Sequence, residues 1–107
     1  MALARIQLPA SAKRGEVIEV RIAIQHPMET GFRFDISGRA IPKNVINQLV
    51  CRYNGAEVFR AEMSSGVAAN PYLQIYTVAE ASGEMAFEWI DDSGNRGTER
   101  AAISVIE

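Results

Sequence analysis

Glu16-Val17-Ile18-Glu19-Val20-Arg21-Ile22-Ala23-Ile24-Gln25 is the stretch on which the fold turns. Ile18, Val20, Ile22 and Ile24 alternate with Glu19, Arg21, Ala23 and Gln25. A period of two with β-branched residues on one face is the pattern of a half-buried strand in an antiparallel sheet. A helix would spread the same residues around its whole circumference. Upstream, Ser11 to Gly15 reads as a polar turn. Before it lies a short strand with Ile6 and Leu8 on one side and Arg5 and Gln7 on the other. Pro9 ends that strand because it has no N–H to give to a ladder.

Downstream runs His26–Val45, HPMETGFRFDISGRAIPKNV, twenty residues in which only Phe32-Arg33-Phe34-Asp35-Ile36 alternates, and briefly. A connection this long inside a small domain is either a functional loop or a misread element. Beyond it, Ile46–Arg52 and Val58–Met63 flank Tyr53-Asn54-Gly55 as a hairpin. A two-residue Asn54-Gly55 loop pairs Cys51 with Val58 and sets Arg60 on the face of Leu49. A three-residue loop with Gly55 as a left-handed bulge shifts the pairing by one. Leu49 and Cys51 then share a face with Phe59, Ala61 and Met63, while Arg52, Arg60 and Glu62 take the other. A one-residue slip flips every side chain, so the three-residue loop is preferred.

Asn70-Pro71 opens a turn. Tyr72–Glu80 is a strand whose inner face is either Leu73, Ile75 and Thr77 or Tyr72, Tyr76 and Val78. Ala81-Ser82-Gly83 turns the chain, and Met85, Phe87 and Trp89 form an aromatic-rich inward stripe. Asp91-Asp92-Ser93-Gly94-Asn95 is the next turn. The last strand points Ala101, Ile103 and Val105 inward. About seven short strands with turn chemistry at each joint predict an all-β, immunoglobulin-like antiparallel β-sandwich. The antibody Cys…Trp…Cys pattern is absent, so the architecture alone is implied.

The 107 residues are expected to form a single domain, 1–107. A net charge of −2 with acids and bases interspersed lacks the basic stripe of a nucleic-acid binder and the polybasic patch of a membrane-surface protein. No apolar run approaches the roughly 18 residues of a membrane span. Met1 to Glu16 carries no sustained apolar segment of the kind a secretory signal needs.

Chemistry is sparse. His26 and Met28 could offer two soft Cu(I) ligands, but a blue-copper site needs two His and a Cys, and the chain has one His. The single Cys51 falls mid-strand on the apolar face, the place of a buried small hydrophobe rather than a reactive thiolate; an intermolecular disulfide is the other reading. Asp91, Asp92 and Asn95 fit an Asx-type turn better than a calcium site, which takes six or more oxygens. There is no phosphate loop, no nucleophile elbow, no metal-binding Cys or His pair and no nucleophile–base couple. The expectation is a binding module: not an enzyme, with no cofactor and no metal.

Several segments, in order, resemble one family: Gln25 to Arg33 (QHPMETGFR), Ile41 to Ile46 (IPKNVI), Cys51 to Phe59 (CRYNGAEVF), Ala68 to Tyr72 (AANPY) and Phe87 to Gly94 (FEWIDDSG). Together they resemble SoxZ, the small subunit of the SoxYZ carrier of the sulfur-oxidation (Sox) pathway, over residues 3 to 106. The resemblance implies an immunoglobulin-like, non-catalytic subunit in a heterodimer with SoxY, which carries the sulfur substrate, such as thiosulfate-derived sulfur, on a cysteine in a C-terminal Gly-Gly-Cys-Gly-Gly arm. It also implies transient visits by other Sox enzymes. Localisation in the periplasm follows from the resemblance, by co-export with a signal-bearing SoxY. The rival readings are a periplasmic copper-handling sandwich and a homodimeric interaction sandwich.

Two surfaces are expected to bind partners. Val50 and Val58 stand on the outward hairpin face among Arg52, Arg60 and Glu62, with Tyr76 on the neighbouring strand as the alternative contact for SoxY. In the long loop, Met28, Phe32 and Arg33 would face the carrier arm or a visiting enzyme, Arg33 offering its fork to a sulfonate-like group. The competing expectation folds Phe32 and Ile41 back to plug the sandwich. Exposed interface apolars also predict some self-association of the isolated chain.

Overall fold

The computed structural model describes residues 3–107. Eight strands are formed: β1 (Ala4–Gln7), β2 (Ser11–Lys13), β3 (Val17–Ile24), β4 (Ile46–Tyr53), β5 (Ala56–Glu62), β6 (Tyr72–Val78), β7 (Gly83–Asp91) and β8 (Arg96–Ile106). They make a three-stranded sheet in the order β1-β3-β6 and a five-stranded sheet in the order β2-β8-β7-β4-β5. The immunoglobulin-like sandwich is thus realised. The additional strand is β2, expected as a turn, which pairs in parallel with the end of β8, Ser11 opposite Ser104 and Lys13 opposite Ile106. With no helix among the described residues, none is long and apolar enough to cross a membrane.

The inner faces meet as the alternation requires. Ile18, Val20, Ile22 and Ile24 of β3 face Leu49 and Cys51 of β4 and Met85, Phe87 and Trp89 of β7, all in one buried cluster. Ile75 is buried and Leu73 half-buried, which settles the ambiguous strand: Leu73, Ile75 and Thr77 point inward, and Tyr72, Tyr76 and Val78 are exposed. Trp89 lies opposite Gly97, where a Cβ would come within 2.2 Å of its ring, so the indole occupies the space a side chain would need.

The β4–β5 hairpin reaches the expected facing by a different route. Asn54 and Gly55, with φ of 48° and 85°, form a two-residue turn, and Tyr53 pairs with Ala56 and Arg52 with Glu57. The register then shifts, so that Cys51 pairs with Phe59 and Val58 is the extra residue of a bulge. The one-residue slip sits at Val58 rather than at Gly55. Asn-Gly is the best pair for a turn with both residues at positive φ, and Asn54 has a second task here. Its side-chain oxygen accepts the Glu84 N–H at 2.9 Å, tying the hairpin tip to β7. Nearby, the Tyr53 hydroxyl donates to the Ala81 carbonyl at 2.5 Å and accepts from the Glu80 and Ala81 amides, pinning the β6–β7 turn.

Candidate partner-binding surfaces

The period-two row of β3 does not stop at Ile24. Positions 18, 20, 22, 24, 26 and 28 are all buried, so His26 and Met28 continue the inward face. On β7 the row Met85, Phe87, Trp89 continues likewise into Asp91. The two rows meet at their ends. His26 and Asp91, each 5% exposed, are joined by a 3.1 Å contact between Nε2 and Oδ2. The Met28 amide donates to His26 Nδ1 at 2.9 Å. With Nδ1 accepting, Nε2 carries the proton and donates to Asp91. Both ring nitrogens are committed, which leaves no lone pair for a copper ion.

Met28, 3% exposed, seats its side chain in the core, and its Sδ accepts the Ile46 amide at 3.3 Å. The expectation that Met28 presents a surface is therefore corrected: its parity with β3 carries it inside. It is Met28, and not Phe32, that fills this end of the sandwich.

The Asp91–Asn95 turn anchors the loop from the other sheet. Asp91 Oδ1 accepts the Ser93 and Asn95 amides at 3.0 and 2.9 Å, the Asx turn expected. Burial would push the Asp91 carboxyl up, but the hydrogen bonds from His26, Asn95 and Ser93 outweigh it and hold the carboxyl below its ordinary range. Asp92 is also held low, by hydrogen bonds from the Asn47 side chain and the Val45 amide and by the nearby Lys43. Among the described residues no cluster of three or more His, Cys, Asp or Glu side chains is placed to hold a metal, and every buried side-chain nitrogen or oxygen has a partner.

Past Met28 the loop becomes a finger with its own ladder. Glu29 and Asn44 exchange two backbone hydrogen bonds of 2.9 Å, Ile41 N–H donates to Arg33 O at 2.9 Å, and Asp35 N–H donates to Arg39 O at 2.8 Å. Asp35 Oδ1 closes the tip by accepting the Ser37 and Arg39 amides. The short alternation noted in the sequence is one side of this finger: Phe32, Phe34 and Ile36 are all exposed, Phe32 at 81% and Ile36 at 106%. Arg33 lies between them with its guanidinium on the Glu29 carboxylate, its Nε at 3.0 Å from Oε2 and its Nη2 on Oε1. Those hydrogen bonds hold Glu29 below the usual carboxylate range and raise Arg33.

On the outer face of the five-stranded sheet, Val50 lies between Arg60 and Glu88. It is buried but stands outside the main core cluster, at the floor of a depression of about 250 Å³ rimmed by Arg52, Arg60, Glu88 and Arg96. Val50 thus points outward as expected, yet its long neighbours cover it. Arg52 pairs with Glu88 at 2.8 Å, and Arg60 pairs with Glu57 at 2.7 Å. Val58, lifted by its bulge, is exposed. Tyr76 is exposed on the opposite sheet, its hydroxyl donating to Glu19 at 3.0 Å. Val58 and Tyr76 therefore do not share a face. Cys51 is fully buried, and desolvation pushes its thiol up to about 12.

Fold and surfaces define an immunoglobulin-like sandwich with a projecting finger and exposed apolar side chains on both of its sheets. In fold it is similar to the superoxide reductase (neelaredoxin) of Ignicoccus hospitalis, with a TM-score of 0.72 and 17% identity over 96% of this chain and 80% of that one. It is similar to the sulfur carrier protein SoxY of Chlorobium limicola f thiosulfatophilum, with a TM-score of 0.66 and 11% identity over 97% of this chain and 79% of that one. A CARDB domain of Pyrococcus furiosus follows at a TM-score of 0.53 and 13% identity, over 100% of this chain and 94% of that one. At such identities these likenesses bear on the fold alone. No curated protein matches the sequence. The family model described as sulphur oxidation protein SoxZ matches residues 6–102, and the chain belongs to that family.

Proposed function

We propose that this chain is the non-catalytic scaffold subunit of a SoxYZ carrier in thiosulfate and sulfur oxidation, acting in the periplasm as a heterodimer with SoxY. The observation that carries this reading is the family match across residues 6–102. The substrate then rides on the partner's cysteine. The burial of Cys51 supports this, because a thiol held near 12 inside the core is neither accessible nor ionised at neutral pH.

Two surfaces compete for SoxY: the hairpin face marked by Val58 and the β6 side marked by Tyr76. Val58→Asp and Tyr76→Asp, each introduced singly, separate them by which one weakens co-purification with SoxY. The finger, with Phe32 and Arg33, is assigned to the carrier arm or a visiting Sox enzyme. Arg33 reaches an anionic sulfur group by releasing Glu29 in exchange.

Reconstituted thiosulfate oxidation tests the reading. Leaving out this chain should abolish turnover, and Cys51→Ala should sustain it at the normal rate. Loss of turnover in a folded Cys51→Ala complex would place the substrate thiol on the wrong subunit and overturn the scaffold role. Normal turnover by an Arg33→Ala complex would remove the sulfur-group contact from the finger.

A further inference from the structure

Each open sheet has a short edge strand, β1 or β2, and a longer one of seven residues, β6 or β5, and the two longer edges are built differently. β5 carries Glu57, Arg60 and Glu62 and is broken by the bulge at Val58. Charge and bulges are the usual means of keeping an edge from pairing with another chain. β6, Tyr72-Leu73-Gln74-Ile75-Tyr76-Thr77-Val78, has no charge, no proline and no break in its register against β3.

The phase of the β6 ladder is fixed at both ends. Ile24 N–H donates to the Pro71 carbonyl at 3.0 Å, and Ala79 N–H donates to the Glu16 carbonyl at 2.8 Å. Antiparallel pairs alternate between bonded and non-bonded, so Leu73, Ile75 and Thr77 bond to β3. The backbone N–H and C=O groups of Tyr72, Gln74, Tyr76 and Val78 face the open edge. The side chains of Gln74 and Tyr76 both bond to Glu19 of β3, which draws them off that edge. Tyr72, Tyr76, Val78 and the facing Val17 expose an apolar strip beside it.

We infer that β6 is a strand-pairing edge, and that its occupant is an edge strand of a like-folded subunit, SoxY, so that the three-stranded sheet continues across the heterodimer. This rests on the pairing with SoxY proposed above and states where and how it is made. A SoxY of known structure has the same sandwich fold, aligned over 97% of this chain, and a sandwich of open sheets ends in edge strands that can pair with another chain. Main-chain hydrogen bonds supply the register, and the Val17, Tyr72, Tyr76 and Val78 strip supplies the apolar contact.

Amide hydrogen exchange, read by NMR on the full chain alone and with purified SoxY, tests this. In the complex the Tyr72, Gln74, Tyr76 and Val78 amides should slow by about tenfold or more, while Arg60 and Glu62 on the β5 edge stay unchanged. Gln74→Pro removes an outward N–H and the side-chain bond to Glu19 but leaves the backbone bonds to β3 in place, and should weaken SoxY binding about thirtyfold; Arg60→Pro on the other edge should weaken it less than about threefold. A complex in which the four β6 amides exchange as in the free chain overturns the edge while the pairing of subunits stands. Protection of those amides in the chain alone as its concentration rises assigns the edge to a second copy and overturns the SoxY assignment. Absence of any complex with the unsubstituted chain overturns both. Should Gln74→Pro fail to fold, the exchange pattern of the unsubstituted chain decides.

Discussion

At the root of the His26–Val45 loop, His26 and Met28 are buried; a few residues on, at its tip, Phe32, Phe34 and Ile36 are exposed. Residue type alone would not sort them this way, since histidine is polar while phenylalanine and isoleucine are core formers as much as methionine is. What separates them is register. The root lies in step with β3 and inherits its inward face. The tip lies beyond the Glu29–Asn44 bridge, on a ladder that pairs only with itself and has no second layer to bury against. One connection therefore holds a structural latch and a free surface.

That contrast can be broken at its strongest point first. His26→Ala removes the donor to Asp91 Oδ2 and the acceptor for the Met28 amide, leaves Asp91 with its Ser93 and Asn95 hydrogen bonds alone, opens a cavity between the sheets, and should cost about 3 kcal/mol. Chemical denaturation should show it as a lower midpoint with an unchanged slope. Met28→Ala opens a cavity at the same end and strands the Ile46 amide, for a loss of about 2–3 kcal/mol by the same measurement. Phe32→Ser and Ile36→Ser at the tip should each change stability by less than about 0.5 kcal/mol, because both side chains are almost wholly exposed, and Arg33→Ala should leave the midpoint nearly unmoved, because it breaks only an exposed ion pair. Losses at the tip as large as those at the root would mean that the finger packs in the free chain.

Acid separates root from tip as well. Asp91 and Asp92 at the root are held below the ordinary aspartate range. A carboxyl depressed in the folded state contributes stability that is fully present above its unfolded value. That contribution fades as pH falls through its lower folded value. Thermal melts should therefore weaken progressively below about pH 4, and Asp91→Asn should flatten that dependence. Arg33→Ala at the exposed tip should leave it nearly unchanged.

Much of the fold was legible in the alternation. Ile18 to Ile24, Met85 to Trp89 and Ala101 to Val105 face inward as their parity requires, and Leu49 and Cys51 share a face with Phe59 and Ala61. Less was legible where one position admits two readings. Asn54-Gly55 with a bulge at Val58 and a three-residue loop with a bulge at Gly55 give identical facing beyond the bulge, so the face does not distinguish them. β2 was hidden because three residues, Ser11-Ala12-Lys13, carry too short a pattern to read. The His26–Asp91 pair was readable in principle. Carrying the β3 parity past Gln25 brings His26 and Met28 inward, and carrying the β7 parity past Trp89 does the same for Asp91. Pro27 and the change to a loop-like composition obscured it. The binding surfaces are less legible still, since an isolated chain exposes alike the apolar residues a partner covers and those it does not.

Whether this SoxZ-family chain acts as a scaffold by pairing with SoxY is decided by calorimetric titration of the folded chain with purified SoxY. Saturable binding at one copy of each subunit, with a negative heat-capacity change from burial of apolar surface, is the result expected. Absence of heat and of complex at micromolar concentrations of both folded proteins would contradict it.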